Sequence, residues 1–252
     1  TSGKNILLSD IFPTGYFGAK LAQIRSGDTV AVFGCGPVGQ FAIASAFLLG
    51  AGRVLAIDHL QSRLEMARAQ GAEAINFEAE DPVDAIRSLT GGIGPDRAID
   101  AVGVDAVSPN AGPGYKDAKK LRQEFEQELA QVAPKTNPQG DLRVPGNAPS
   151  QALRWAVESI AKAGTLAIIG VYPPSMQSFP IGEAMNKNLT IEMGNCNHRK
   201  YIPELIRMVR AGEVDPLRVL TQREPLTSVL EAYEAFDTRQ PGWMKVELRP
   251  AA

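Results

Sequence analysis

The chain has 252 residues, 44% of them hydrophobic, which is enough for one large domain or two smaller ones around a sizeable core and too apolar for a disordered chain. Its net charge of −2 gives no reason to expect nucleic acid or an anionic membrane as a partner; no apolar run reaches the length of a membrane span, and nothing at the start has the form of a signal peptide. Two cysteines, Cys35 and Cys196, are too few for a disulfide framework and fit a cytoplasmic protein, and a first residue that is Thr1 and not methionine points to a processed product or a fragment.

In chain order, residues 1–25 read as a lead-in, with a turn over 10–16 and a short helix over 16–24 carrying Phe17, Leu21 and Ile24 on its apolar side. Residues 29–33 are a buried strand. The run Gly34-Cys35-Gly36-Pro37-Val38-Gly39 follows it directly and opens a helix over 40–49 that is apolar on nearly all sides. Strand, glycine turn, helix is the setting in which G-x-G-x-x-G signals a dinucleotide site. Gly34 makes the tight turn, Gly36 admits a pyrophosphate to the backbone, and Gly39 brings helix and strand together. Pro37 suits the first helical position, and the helix N-terminus offers free N–H groups to phosphate.

A second buried strand, residues 53–58, ends on Asp58, at about the 20-residue spacing expected of the carboxylate that binds the adenosine ribose. A carboxylate there repels a 2′-phosphate and so favours NAD over NADP, although Arg63 could pair with such a phosphate. A helix over 62–70, a short strand over 74–76, a helix opened by Asp81-Pro82 and a fourth strand over 97–103 follow. The alternation then pauses over 105–150, a segment rich in proline, glycine and asparagine. Within it, residues 115–132 place Leu121, Phe125, Leu129 and Val132 at helical spacing, which predicts a surface helix flanked by loops and inserted into the domain. A helix over 151–162, strands over 165–170 and 189–194, helices over 202–209 and 229–236, and a half-buried strand over 243–248 outside the parallel set complete the chain. Alternating strands and helices predict an α/β fold, a Rossmann-type, six-stranded, doubly wound parallel sheet with its ligand edge at the strand C-termini.

Several residues have plainer readings. Asp58 could cap the helix after it, Asp10 before Ile-Phe-Pro reads as a turn residue, and Lys245 as a solvated strand residue. Val102, Gly170 and Val171 are core or turn residues first. His59 reads as an exposed residue in the first turn of a helix, His198 as a polar loop residue, and neither cysteine carries chemistry.

Together, Pro13-Thr14-Gly15-Tyr16, the 34–39 turn, Asp58 with Arg63, Asp100-Ala101-Val102-Gly103, Gly170-Val171, Glu224-Pro225-Leu226 and Lys245-Val246 resemble, in order and spacing, the cofactor half of a medium-chain, zinc-dependent alcohol dehydrogenase. Asp10, the insertion at 105–150 and Lys200-Tyr201 resemble the branch containing glutathione-independent formaldehyde dehydrogenases, in which an insertion near this place covers the adenine and holds the cofactor tightly. The resemblance implies NAD as cofactor, bound by Gly34, Gly36, Pro37, Val38, Gly39, Asp58 and Arg63. It implies that the backbone of Val102, Gly170 and Val171 lines the adenine and nicotinamide sites, and that Lys245 reaches the pyrophosphate. It places Thr14 against the nicotinamide and Asp10 as the third ligand of a catalytic zinc.

The resemblance further implies a lead-in from a catalytic domain at 1–26, the nucleotide-binding domain at 27–212, and a C-terminal segment at 213–252 that is a remnant of the catalytic domain. That domain would supply the remaining zinc ligands, so the zinc site is incomplete in this chain. The expectations are hydride transfer between NAD and a small-molecule alcohol or aldehyde in the intact enzyme, and NAD binding without turnover by this chain. A homo-oligomer paired through the strand at 189–194 is also expected. Competing readings are a zinc-independent quinone or enoyl reductase, a methyltransferase with its own glycine turn, and a stand-alone nucleotide-binding or dimerisation module.

Overall fold

The computed structural model describes residues 2–132 and 146–250. The chain opens with helices α1 (Ser2–Leu7) and α2 (Ile11–Leu21). Strand β1 (Thr29–Phe33), helix α3 (Pro37–Leu48), strand β2 (Arg53–Asp58), helix α4 (Gln61–Ala69), strand β3 (Glu73–Asn76), helix α5 (Pro82–Leu89) and strand β4 (Arg97–Asp100) then alternate. A single 3₁₀ turn (Gly103–Asp105) leads to helix α6 (Tyr115–Val132). The alternation resumes with α7 (Gln151–Ser159), β5 (Thr165–Ile168), α8 (Ile181–Asn186), β6 (Thr190–Met193) and α9 (His198–Ala211). The chain ends with β7 (Gln222–Pro225), α10 (Val229–Asp237) and β8 (Val246–Arg249).

The six strands β1–β6 form one parallel sheet in the order β3-β2-β1-β4-β5-β6, the doubly wound arrangement with its crossover between β1 and β4. Because side chains alternate along a strand, β1 feeds two cores. Val30 and Val32 pack with Val54, Ala56, Ile43 and Leu64 under α3 and α4. Ala31 and Phe33 pack with Leu55, Ile57, Ile86 and Val157 under α5 and α7. A third core joins both ends of the chain: Leu7, Phe12 and Tyr16 meet Phe41, Tyr201, Leu205, Val219 and Met244. β8 pairs with β7 in a separate parallel ribbon, outside the main sheet as its alternation predicts.

Four local expectations are corrected. The turn over 10–16 is helical from Ile11. Pro13 is the third residue of α2, where its missing N–H has no intrahelical partner to lose, and Gly15 is a packing glycine. A Cβ on Gly15 would lie 2.6 Å from the Ala42 nitrogen, so α2 and α3 cross too closely there for any side chain. α9 begins at His198 and not at 202, and carries Pro203 inside it, so His198 is a helix residue. The insert helix buries Phe125 and leaves Leu121, Leu129 and Val132 only half-buried, while the charged Glu128, 2% exposed, shares its buried face. His59 lies ahead of α4 and is half-buried. Residues 133–145 of the insertion lie outside the described residues.

Candidate functional site: a cofactor cleft and an open polar patch

The glycine turn is built from backbone contacts that side chains would prevent. Gly34 has φ +88°, and a Cβ on Gly39 would stand 1.8 Å from the Gly34 carbonyl oxygen. Gly36 differs: a Cβ there would meet nothing closer than the Arg63 guanidinium, at 3.7 Å. No packing within the described chain therefore requires glycine at 36, and the space stays open toward a cleft. Gly36 is the N-cap of α3, Pro37 is its first residue, and no side chain caps that end, so first-turn N–H groups are left for an outside acceptor.

Asp58 ends β2 beside this turn and is 5% exposed. The Cys35 N–H donates to its Oδ2 at 2.8 Å, and the His59 and Leu60 N–H groups donate to Oδ1 at 2.7 and 3.0 Å. Arg63 Nη1 stands 3.7 Å from Oδ2. The carboxylate thus organises the start of α4 and ties the glycine turn to it, and its side chain also lines the cleft. The buried Gln40 amide fastens the same joint by donating to the Cys35 and Arg63 carbonyls, each at 2.9 Å.

The cleft holds about 700 Å³. Gly34, Gly36 and Pro37 form one side, and Val102 with the roots of the insertion, 105–107 and 146–147, forms another. An aromatic end is built by His59, Phe77 and Trp155, and the end of α10 and the two residues after it, Phe236 to Arg239, also line the cleft. His59 stacks on Phe77 at 4.9 Å and 11°, and Phe77 packs 5.2 Å from Trp155. Burial in this stack pushes the His59 pKa down, so the imidazole is held neutral. Val102 is fixed by the buried Asp100, whose Oδ1 accepts the Val102 and Gly103 N–H groups at 2.9 and 3.2 Å and whose Oδ2 accepts the Tyr172 hydroxyl at 2.8 Å. Burial raises the Asp100 pKa against those three hydrogen bonds.

A second group lies apart from the cleft lining. The Thr14 hydroxyl donates to the Asp10 carbonyl at 2.9 Å and lies 3.1 Å from Asp10 Oδ1; His198 Nε2 lies 3.1 Å from the same Oδ1 and 3.4 Å from Thr14 Oγ1. Burial pushes the pKa of the nearby Cys196 thiol up. The Asp10 side chain is 71% exposed.

The structure therefore gathers Gly34, Gly36, Pro37, Asp58, Arg63 and Val102 at one cleft, with Val38 and Gly39 behind it in the first turn of α3. Gly170 and Val171 lie against the 3₁₀ turn, where the Val104 N–H donates to the Val171 carbonyl at 3.1 Å, but they do not line the cleft. Thr14 and Asp10 meet each other and not the cleft. Lys245 is held in the β7–β8 ribbon by its carbonyl, which accepts from Thr221 and Gln222, and is not among the lining residues. Sequence reasoning missed Gln40, Phe77, Trp155 and Tyr172, and took His59 and His198 for solvated residues. Only His59, directly after the strand-ending Asp58, carried a local signal.

These residues fit a dinucleotide: the open space at Gly36 suits a pyrophosphate, and the Asp58 carboxylate stands beside an apolar aromatic end. For zinc the fit reaches one ligand only. Among the described residues no group of three His, Cys, Asp or Glu could hold a metal ion, and Asp10 offers one exposed carboxylate. Among the described residues the six-stranded sheet is all parallel, with no antiparallel strand at its edge, which counts against the methyltransferase reading. No helix of the described residues is long and apolar enough to cross a membrane.

Comparison with known proteins agrees with this fold. A family model described as "Zinc-binding dehydrogenase" matches residues 37–111. A zinc-type alcohol dehydrogenase-like protein of Bacillus subtilis is 34% identical over 97% of this chain and 58% of its own length. A glutathione-independent formaldehyde dehydrogenase of Pseudomonas aeruginosa is 36% identical over 93% of the chain and 55% of its own. The solved structure of an alcohol dehydrogenase from a Thermus species superposes with a TM-score of 0.75 at 30% identity, covering 100% of this chain and 60% of that one. The chain thus spans little more than half the length of the relatives it matches. Within that span it is similar to zinc-type alcohol dehydrogenases and corresponds to their cofactor-binding half.

Proposed function

We propose that the chain is the NAD-binding portion of an enzyme that moves hydride between NAD and a small alcohol or aldehyde. The observation that carries this reading is the space at Gly36, open on the cleft side, next to an uncapped helix N-terminus and a strand-ending carboxylate. The pyrophosphate would sit against Gly36 and the first-turn N–H groups of α3. Arg63, whose guanidinium is the nearest group to that space, supplies the neighbouring cation, and Lys245, just before β8, is read as a second one. Asp58 accepts the adenosine ribose hydroxyls, and the half-buried His59 with Phe77 forms an apolar wall for the adenine. Val102, Gly170 and Val171 border the path toward the nicotinamide, and Thr14 faces it. Asp10 stands as one ligand of the metal. When bound, NAD supplies the hydride acceptor and a catalytic zinc the Lewis acid that stabilises an alkoxide.

The lead-in and the segment after 213 are read as parts of a catalytic domain, and the insertion as a cover for the adenine. Association through β6 is supported by apolar side chains exposed beside that edge strand, Ile181, Met185 and Met193. A cytoplasmic setting is part of the same reading.

Calorimetry with NAD and NADP tests the proposal. One NAD per chain is expected, with NADP at least about tenfold weaker because Asp58 opposes a 2′-phosphate, and no oxidation of ethanol or formaldehyde by this chain alone. Tighter binding of NADP, or no binding of either, would refute the NAD assignment, and robust turnover would refute the incomplete zinc site. Sedimentation of the same sample at micromolar concentration is expected to show a dimer or larger species; a monomer rejects pairing through β6.

A further inference from the structure

Asp100 ends β4 and Ile168 ends β5, and the two are paired in register. The residues that follow them, Ala101-Val102-Gly103 and Ile169-Gly170-Val171-Tyr172, therefore leave the sheet side by side at its C-terminal edge. The two exits are clasped. The Ile169 and Gly170 N–H groups donate to the Asp100 carbonyl at 3.0 and 2.9 Å, and the Val104 N–H donates to the Val171 carbonyl at 3.1 Å. A Cβ on Gly170 would lie 2.3 Å from the Gly103 nitrogen, so backbone meets backbone there. Inside the clasp the fully buried Asp100 carboxylate accepts the Val102 and Gly103 N–H groups on Oδ1 and the Tyr172 hydroxyl, at 2.8 Å, on Oδ2. Among the described residues Oδ2 has no other hydrogen-bond donor. A buried carboxylate is tolerated only while its oxygens are hydrogen-bonded, so the hydroxyl fixes how Asp100 is turned and thereby where Val102 stands.

Val102 links this clasp to the cofactor cleft. Its Cγ2 lies 2.5 Å from the point where a Cβ of Gly34 would be, so it fills the space above the glycine turn, and it also lines the cleft. Tyr172 is not a lining residue; it packs against the core that holds Phe33, Ile57 and Ile168. We propose that Tyr172 is a positioning residue for the dinucleotide: its hydroxyl, through Asp100, holds Val102 against Gly34 and so fixes one wall of the NAD site. The inference rests on the reading of the cleft as an NAD site.

The test measures NAD affinity by calorimetry, together with Tm, for the full chain and its variants. Tyr172→Phe keeps the ring and removes only the hydroxyl. NAD is expected to bind it about tenfold more weakly, the scale of a lost hydrogen bond to a charged group. Leu205→Val, in the third core and away from the cleft lining, is expected to lower Tm as Tyr172→Phe does and to keep the wild-type NAD affinity. That pair separates positioning from a general loss of stability. Val102→Ala should weaken NAD binding on its own. Adding Tyr172→Phe to it should weaken binding by no more than about twofold further, because a hydroxyl that acts through Val102 then has little left to position. No NAD bound by the wild-type chain would overturn the NAD reading and this inference together. Wild-type affinity in Tyr172→Phe would overturn the role of Tyr172 and leave the NAD reading standing. So would losses that multiply in the double variant, or an equal loss of affinity in Leu205→Val.

Discussion

The glycine turn and the Asp10 patch are the two places where candidate site residues gather, and they are built to different degrees. Around the turn the side chains find local partners: Asp58 accepts the Cys35, His59 and Leu60 N–H groups, Gln40 donates to two carbonyls, and the N–H groups of the first turn of α3 are left open beside a cleft of about 700 Å³. At the patch, Asp10 is 71% exposed, and among the described residues its side chain meets Thr14 and His198. The difference teaches that the joint between the glycine turn and Asp58 is encoded within one contiguous βαβ unit, while the outer walls of the cleft and the Asp10 patch are assembled from segments far apart in sequence. A tetrahedral metal site draws its four ligands from distant segments, and among the described residues no group of three His, Cys, Asp or Glu could hold a metal ion.

The largest effect that would test the finished character of the turn comes from separating its glycines. Gly39→Ala puts a Cβ 1.8 Å from the Gly34 carbonyl, and backbone cannot step aside as a side chain can. A loss of about 3 kcal/mol or more is expected in urea denaturation, with NAD binding lost alongside. Gly36→Ala meets only the Arg63 guanidinium at 3.7 Å and should fold with wild-type stability, yet its methyl group fills the space assigned to pyrophosphate. NAD affinity should fall about 100-fold, some 2.7 kcal/mol, with an unchanged Tm. Equal stability losses for both variants would mean that Gly36 serves packing and not a ligand.

The outer wall of the cleft is sharpened by a smaller change. Glu128 of α6 is buried, accepts the Ser150 N–H at 3.1 Å and hydroxyl at 2.8 Å, and faces Arg154 at 3.5 Å, so it anchors the insert to the start of α7. Glu128→Ala leaves those donors unpaired and should cost about 2 kcal/mol. Glu124, which pairs with Arg154 at the surface, should cost no more than about 0.5 kcal/mol when replaced by alanine. If the insertion covers the cofactor, NAD release should also quicken in Glu128→Ala. Deletion of the insert with unchanged NAD affinity and release would show that it does not.

Legibility in the sequence follows the same division. The turn, Asp58, the parallel sheet and its edge strand could be read because each depends on neighbours within one βαβ unit or on a simple period. Asp10 and His198 could not be paired, because nothing local to either residue reports a contact made by helix packing. Pro13 and Gly15 were misleading for a physical reason. Both residue types punctuate turns, but a proline in a first helical turn loses no hydrogen bond, and a glycine can serve a helix crossing as well as a bend. Glu128 falls beside the expected apolar stripe of α6, and only Ser150 and Arg154, brought up by the fold, make its burial tolerable. The resemblance supplied Lys245 as a pyrophosphate contact; its carbonyl is held in the β7–β8 ribbon, and it is not among the residues that line the cleft.

The smallest expected effect lies within the cleft itself and depends on pH. His59 is stacked on Phe77, and burial holds its pKa below the ordinary 6.5, outweighing the attraction of Asp58 and Glu78. In the unfolded chain the imidazole titrates near about 6.5. Between the two values the unfolded chain carries the extra proton, so the free energy of unfolding rises with pH through that window. The contribution of His59 is therefore complete above pH 6.5 and is lost as pH falls toward the folded-state pKa. Urea denaturation at about pH 8 and about pH 5 should show the wild-type chain losing more stability on acidification than His59→Gln, whose amide does not titrate. NAD should follow the same order, since a charged imidazole has to leave the aromatic wall for water and the cleft loses that wall with it. Identical acid losses in the two proteins would place His59 in solvent, as the sequence alone suggests, and would leave the cleft with an open end like that of the Asp10 patch.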